Sequence, residues 1–477
     1  MGGPGTFPRD FVWGASTSAY QIEGDRLADG AGESIWDQFC RKPGKVWGGH
    51  DGETACQHYR RYREDAALLA SLELPAYHFS VSWPRVLPEG TGAVNARGLD
   101  FYDRLVDALL ERGVAPWVTL FHWDYPSALY ARGGWLNRES VDWFARYAEL
   151  VVRRLSDRVR HFITLGEPEC FITAGHQKGG HAPGDTHELR DVLRMGYHAF
   201  LAHGTAVQTM RAAARQPLRI GMKSVGEPRV PYRAPGDGPI TDADIAAARA
   251  LTFHVDARPD AASTWYPALW MDPVYLGRYP DGVLEGFGRA APAARPEELA
   301  IMGQPLDFFA LNTYKGSWVR AGAHGPEEVP FPPGQPMSAY DWPIVPEAIY
   351  WGARFFHERY RLPIIVTENG LATVDWVELD GRVRDGHRVD FLRRSLRELH
   401  RAIEDGVPVH GYFHWSAFDN FEWEQGYRLR FGLIHVDFAT QVRTPKDSAY
   451  AFREIIRTHG GALWDGPGER GPGERGG

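Results

Sequence analysis

Short apolar runs rich in β-branched and aromatic residues recur near Phe11–Ala15, Ala76–Ser82, Trp117–Phe121, His161–Leu165, Leu218–Met222, Phe308–Asn312, Ile364–Thr367 and Val409–Trp415. Runs of this length predict strands buried on both faces. The stretches between them have a different period. From Leu99 to Arg112, Leu99, Tyr102, Leu105, Val106, Leu109 and Leu110 share one helical face and Asp103, Asp107 and Glu111 another, with Gly113 where a C-cap is expected. Tyr59, Tyr62, Ala66, Leu69 and Leu72 form a second stripe, read as core rather than as a binding surface. Eight strands alternating with helices predict an α/β fold, a single closed (β/α)8 TIM barrel. In such a barrel the C-terminal ends of the strands converge on one mouth, where a site is assembled from residues far apart in sequence.

The length of 477 residues fits one such barrel with long loops, expected over residues 7–464. Longer connections follow the fifth and sixth strands and include the Pro/Gly-rich run from Gly325 to Pro336, so they are expected to shape the entrance. Residues 465–477 repeat Gly-Pro-Gly-Glu-Arg, a composition too poor in apolar side chains to bury a core, and are expected to be a disordered tail.

Charge and cysteine usage narrow the partners. A formal net charge of −8 with both signs interspersed provides no basic stripe for nucleic acid. No apolar run approaches the ~20 residues of a membrane span. Cys40, Cys56 and Cys170 are an odd, widely spaced set that implies neither a disulfide framework nor a zinc site. The start, Met1 to Thr6, lacks the basic and apolar regions of a secretory signal, so a cytoplasmic location is expected. No metal-ligand cluster and no phosphate-cradling Gly-rich loop is present, and no cofactor is expected. The oligomeric state is not readable.

Two of the predicted strands end on a glutamate: Ile163-Thr164-Leu165-Gly166-Glu167-Pro168 and Ile364-Ile365-Val366-Thr367-Glu368-Asn369-Gly370. Cleavage of a glycosidic bond requires one carboxyl to protonate the leaving oxygen and another to meet the positive charge developing at the anomeric carbon. Two strand-end glutamates facing one another would supply both.

Further motifs surround that pair: Phe11-Val12-Trp13-Gly14-Ala15 running into Tyr20-Gln21-Ile22-Glu23-Gly24, Phe79-Ser80-Val81-Ser82-Trp83-Pro84-Arg85, Leu120-Phe121-His122-Trp123-Asp124, and Trp415 through Asn420-Phe421-Glu422-Trp423 to Gly426-Tyr427. In this order they resemble glycoside hydrolase family 1, the retaining β-glucosidase family, from Phe7 to about Trp464. The resemblance implies a small-molecule glycoside or sugar as partner, with Glu167 as general acid/base and Glu368 as nucleophile. It also implies that Gln21, His122, Trp123, Glu422 and Trp423 hold the sugar, with Trp415 as the platform beneath the ring. Tyr314 resembles the tyrosine that donates to the nucleophile, Asn312 the asparagine two residues before it, and Trp342 an aromatic of the aglycone side. A carboxylate at Glu422 would repel a phosphate, so phosphorylated sugars are disfavoured.

The chain departs from the family pattern at two positions. Gly166 stands where the family usually has an Asn that binds the sugar 2-hydroxyl, and His78 where it usually has an Arg that pairs with the nucleophile. Gly166 is expected to leave a space beside sugar position 2, and His78 to serve as the nucleophile's partner only while protonated. Restoring Asn at 166 is then expected to improve glucoside hydrolysis. Three readings stay open: a retaining β-glycosidase with altered specificity at position 2, a slow or engineered β-glucosidase or β-galactosidase, and a barrel with a non-hydrolytic or ligand-binding role on a glycosylated or sugar-like metabolite.

Overall fold

The computed structural model describes residues 5–464, and the predicted tail lies outside them. Eight parallel strands close into a barrel: β1 (Val12–Ser16), β2 (Ala76–Ser80), β3 (Ala115–Phe121), β4 (His161–Gly166), β5 (Arg219–Val225), β6 (Phe309–Asn312), β7 (Ile364–Asn369) and β8 (Val409–Trp415). Each strand pairs with its neighbours in chain order, and β8 returns to pair with β1. Closure leaves no free sheet edge. Every predicted strand is present, with ends shifted by a few residues. The largest extension is in β5, which runs on through Lys223, Ser224 and Val225.

Helices cover the barrel as their periodicity requires. The helix Ala96–Leu110 buries Leu99, Tyr102, Leu105, Val106 and Leu109. Leu110 departs from the predicted face: it is the last residue of the helix and is 39% exposed. Tyr59, Tyr62, Ala66, Leu69 and Leu72 are all buried, as expected.

The barrel interior changes character along its axis. One end is plugged by an apolar layer of Ala76, Trp117, Ile163, Phe308, Ala310, Ile365 and Phe413. Gly14 admits this layer, since a Cβ there would lie 2.5 Å from the Phe413 ring. Above it lies a polar layer. His78 places its Nδ1 2.9 Å from Ser16 Oγ and its Nε2 2.7 Å from Thr119 Oγ1, and Ser16 Oγ donates to the Thr367 carbonyl at 2.7 Å. The plug makes the barrel a packed core with a floor, and the polar side chains rise from that floor toward the mouth.

Among the described residues, no helix is long and apolar enough to cross a membrane. The three cysteines are unpaired and buried.

Candidate active site

A cavity of about 310 Å³ opens above the polar layer, lined among others by Glu167, Glu368, His122, Trp123, Tyr314, Trp342, Trp415, Glu422 and Trp423. Strand ends and the turns after them deliver these side chains. Glu167 follows β4 with φ 53°, and its N–H donates to the Lys223 carbonyl of β5 at 3.1 Å. Trp123 and Trp423 also hold left-handed backbone, at φ 77° and 53°. Such conformations cost on the order of 1 kcal/mol each for residues with a side chain and concentrate where a side chain must be aimed. Here each aims a site residue into the cavity.

The two glutamates sit in different electrostatic surroundings. Glu368 receives the Lys223 ammonium on Oε1 at 2.8 Å and the Tyr314 hydroxyl on Oε2 at 2.7 Å. Glu167 accepts from Asn312 Nδ2 at 2.9 Å, and Thr367 Oγ1 fixes that amide by donating to Asn312 Oδ1 at 2.6 Å. Burial, reinforced by the charge of Glu368, pushes the Glu167 carboxyl up to about 8, against the opposing effects of Lys223 and Asn312. The proton of the pair is therefore favoured on Glu167, while Glu368 has a cation and a hydroxyl donor on its two oxygens.

Of the remaining predicted residues, His122, Trp123, Trp342, Trp415, Glu422 and Trp423 line the cavity, and Gln21 reaches it through Glu422. Gln21 receives Ser18 Oγ on Oε1 at 2.6 Å and donates from Nε2 to the Asn420 side chain, the Phe421 carbonyl and Glu422 Oε2. The His122 ring lies nearly parallel to Trp415 and Trp423, with centroids 5.9 and 6.0 Å away. Trp123 packs on Trp423 at 4.5 Å and donates from its indole to the Gly166 carbonyl at 3.0 Å. Trp342 stacks on Tyr340 at 4.3 Å and lies 5.4 Å from the Tyr314 ring, on the side of the cavity built by the connection after β6. The run from Gly325 contributes differently from expectation. It forms a strand, Gly325–Val329, antiparallel to Ser317–Gly322, and the cavity is lined instead by Tyr314, Lys315, Tyr340 and Trp342 of the same connection and by Trp265 of the preceding one.

Three expectations are corrected. His78 does not pair with Glu368. Both ring nitrogens are taken by Ser16 and Thr119, and burial together with the charge of Lys223 holds the imidazole well below its usual range, so it is neutral. Gly166 does not leave an open space: a Cβ there would meet Lys223 Cε at 3.3 Å, the Phe121 carbonyl at 3.4 Å and His122 Nδ1 at 3.7 Å. Glu422 is also disfavoured as the carrier of negative charge beside the cavity. Burial, followed by the charges of Glu424, Glu368 and Glu167, raises it well above the usual carboxylate range. The anion is Glu424, where burial is outweighed by His181, 3.0 Å away, and by the Tyr340 hydroxyl, which hold its carboxyl down to about 2.

Sequence reasoning missed Lys223, Glu424, His181 and Tyr340. Lys223 carried a usable signal: a lysine inside a strand of a fully covered parallel sheet is buried, and a buried lysine needs a partner. Among the described residues, no cluster of three or more His, Cys, Asp or Glu side chains could hold a metal ion.

The family model of Glycosyl hydrolase family 1 matches residues 4–461. Beta-glucosidase A of Thermotoga maritima is 42% identical over 459 residues, covering 95% of this chain and 98% of that protein. The 1,4-beta-D-glucan glucohydrolase of Thermotoga neapolitana is 41% identical over 462 residues, covering 95% and 99%. Among solved structures, a family 1 β-glucosidase from Thermotoga maritima superposes with a TM-score of 0.85 at 40% identity, over 96% of this chain and 99% of that one. The Thermotoga maritima β-glucosidase in complex with glucoimidazole matches with the same TM-score. With the barrel, the cavity and the two buried glutamates in place, these matches over nearly the full length establish that the chain belongs to glycosyl hydrolase family 1, as an enzyme that hydrolyses O-glycosidic bonds.

Proposed function

We propose that the enzyme hydrolyses β-glucosides with retention of configuration, with Glu368 as nucleophile and Glu167 as general acid/base. The observation that carries this reading is the contrast between two glutamates in one cavity: burial keeps Glu167 protonated, up to about 8, while Glu368 is held between an ammonium and a phenol. In the first step a Glu368 oxygen bonds to the anomeric carbon as the bond to the aglycone oxygen breaks, and that oxygen takes the Glu167 proton. In the second, a water oxygen bonds to the anomeric carbon, Glu167 takes the water proton, and the electron pair of the ester bond returns to Glu368.

The near-parallel faces of Trp415, His122 and Trp423 suit the flat apolar faces of a pyranose, and the Glu422 carboxyl with Gln21 beside it suits its hydroxyls. Because Lys223 occupies the room beside Gly166, a plain hydroxyl at position 2 fits this site better than an acylamino group. The named β-glucosidase relatives support glucose as the glycone.

Incubation with 2-deoxy-2-fluoro-β-D-glucosyl fluoride, followed by peptide mass spectrometry, tests the reading. It expects stoichiometric labelling of Glu368 with loss of activity. Labelling of another residue, or none while aryl β-glucosides are turned over, refutes the assignment.

A further inference from the structure

Lys223 is fully buried, and its ammonium has two side-chain partners: Glu368 Oε1 at 2.8 Å and His122 Nδ1 at 3.2 Å. Burying an ammonium is costly, and only a close opposite charge and good hydrogen bonds offset it. Here the opposite charge belongs to the nucleophile. The same residue reaches the second glutamate through its backbone, since the Lys223 carbonyl accepts the Glu167 N–H at 3.1 Å.

The fold makes room for this side chain at one position. Lys223 pairs in register with Gly166 across β4 and β5, and a Cβ on Gly166 would stand 3.3 Å from Lys223 Cε. An ammonium has protons to give and no lone pair to accept with, so its bond to His122 requires an unprotonated Nδ1. The imidazole, held well below its usual range by burial and by Lys223, is therefore neutral, with its proton on Nε2.

We propose that Lys223 is the fixed counter-ion for a single negative charge that passes from Glu368 to Glu167 and back during the double displacement, and that Gly166 admits it. The inference rests on the retaining reaction proposed above. Before reaction Glu368 is the carboxylate and Glu167 the acid. Once the Glu368–sugar ester forms and the Glu167 proton has left with the aglycone, the negative charge is on Glu167. Attack by water reverses both changes. Counted with the Lys223 ammonium, the three groups together are neutral at every stage, and they never present two uncompensated charges of one sign. Lys223 is a positioning residue: it acts through the glutamates and through the tautomer of His122.

The test compares wild type, Lys223→Met and Lys223→Ala on aryl β-glucosides, with kcat/KM measured against pH. Lys223→Met keeps the length of the side chain and removes the charge. It is expected to lose roughly a hundredfold or more in kcat/KM, the scale seen when a preorganised charge partner of a reacting group is deleted. Its acidic limb should move to higher pH, because the nucleophile has lost its counter-charge. Lys223→Ala should show the same shift and regain activity when ethylammonium is supplied, which a purely structural role would not produce. It also serves as the measured enzyme if Lys223→Met fails to fold. A Lys223→Met enzyme with wild-type kcat/KM and pH profile overturns the inference, and so does a Lys223→Ala enzyme with neither the shift nor the rescue. Wild type labelled at Glu368 in either case leaves the reaction standing, whereas a wild type that neither labels nor turns over glucosides overturns both.

Discussion

Asn312 Nδ2 donates to Glu167 Oε1 at 2.9 Å, which ties the proposed acid just after β4 to β6 and, through the Thr367 hydroxyl, to the strand that carries Glu368. A donor on a carboxylate favours the ionised form, so this bond opposes the burial that raises the group, which stands at about 8 with the bond in place. Asn312→Ala is expected to raise Glu167 further and move the alkaline limb of kcat/KM to higher pH. A pH–rate profile with an unmoved alkaline limb would show that Asn312 does not tune the acid.

Glu167 itself links activity to stability. Its folded value of about 8 lies above the ordinary 4.5, so the native state holds this proton more tightly than the unfolded chain. Stability is full below the ordinary value and falls as pH rises toward 8. Glu167→Gln cannot ionise and is expected to melt a few degrees above wild type at pH 8, with little difference near pH 4. Glu167→Ala should keep fast glycosylation on substrates with good leaving groups and lose it on poor ones. Calorimetry at the two pH values and a leaving-group series check the two halves separately.

Gly166→Asn reverses in sign from the expectation raised by sequence alone. With Lys223 Cε 3.3 Å and the Phe121 carbonyl 3.4 Å from the new Cβ, an Asn side chain crowds the lysine and is expected to disturb its bond to Glu368. The single variant is expected to lose tenfold or more in kcat/KM on aryl glucosides, and Gly166→Asn combined with Lys223→Ala to lose less than the product of the two single losses. Steady-state kinetics on the four enzymes of this cycle decide it. Additive losses would mean that the two positions act independently.

His78 offers the complementary case. Its imidazole is neutral and bonded to Ser16 and Thr119, with no ion pair to the nucleophile. His78→Gln should lower the melting temperature by disturbing the polar layer, yet leave the position of the acidic limb unchanged. His78→Arg, which would bring a second cation toward Lys223, should destabilise the fold more. A shift of the acidic limb in His78→Gln would restore the imidazole as the nucleophile's partner.

The fold was legible wherever burial enforces an apolar run. The strands that lead to Glu167 and Glu368 could be bounded to within a residue or two because the polar side chains within these runs, Thr164 and Thr367, are β-branched and do not end a strand. β5 was read three residues short, since Lys223 and Ser224 break the run while the backbone continues. The cavity lining at Trp415, Glu422 and Trp423 follows from motif context. The charge partner of Glu368 did not, because a pattern read strand by strand cannot show that a cation missing from β2 is supplied by β5. The ionisation of Glu422 and Glu424 was inaccessible for a related reason: adjacent glutamates in the chain, separated by one tryptophan, face different neighbours in space.

The register that sets Gly166 beside Lys223 bears on how such enzymes can be recombined. The two residues are neighbours across a pair of strands but lie on opposite sides of the connection between β4 and β5, so a crossover anywhere from 167 to 222 separates them. A chimera that inherits Lys223 with a bulky residue at 166 has a blocked site, and one that inherits Gly166 without the lysine has a cavity and no counter-charge. Segment shuffling with relatives will therefore yield active progeny mainly when both strands come from one parent, even though each half would fold around the same barrel.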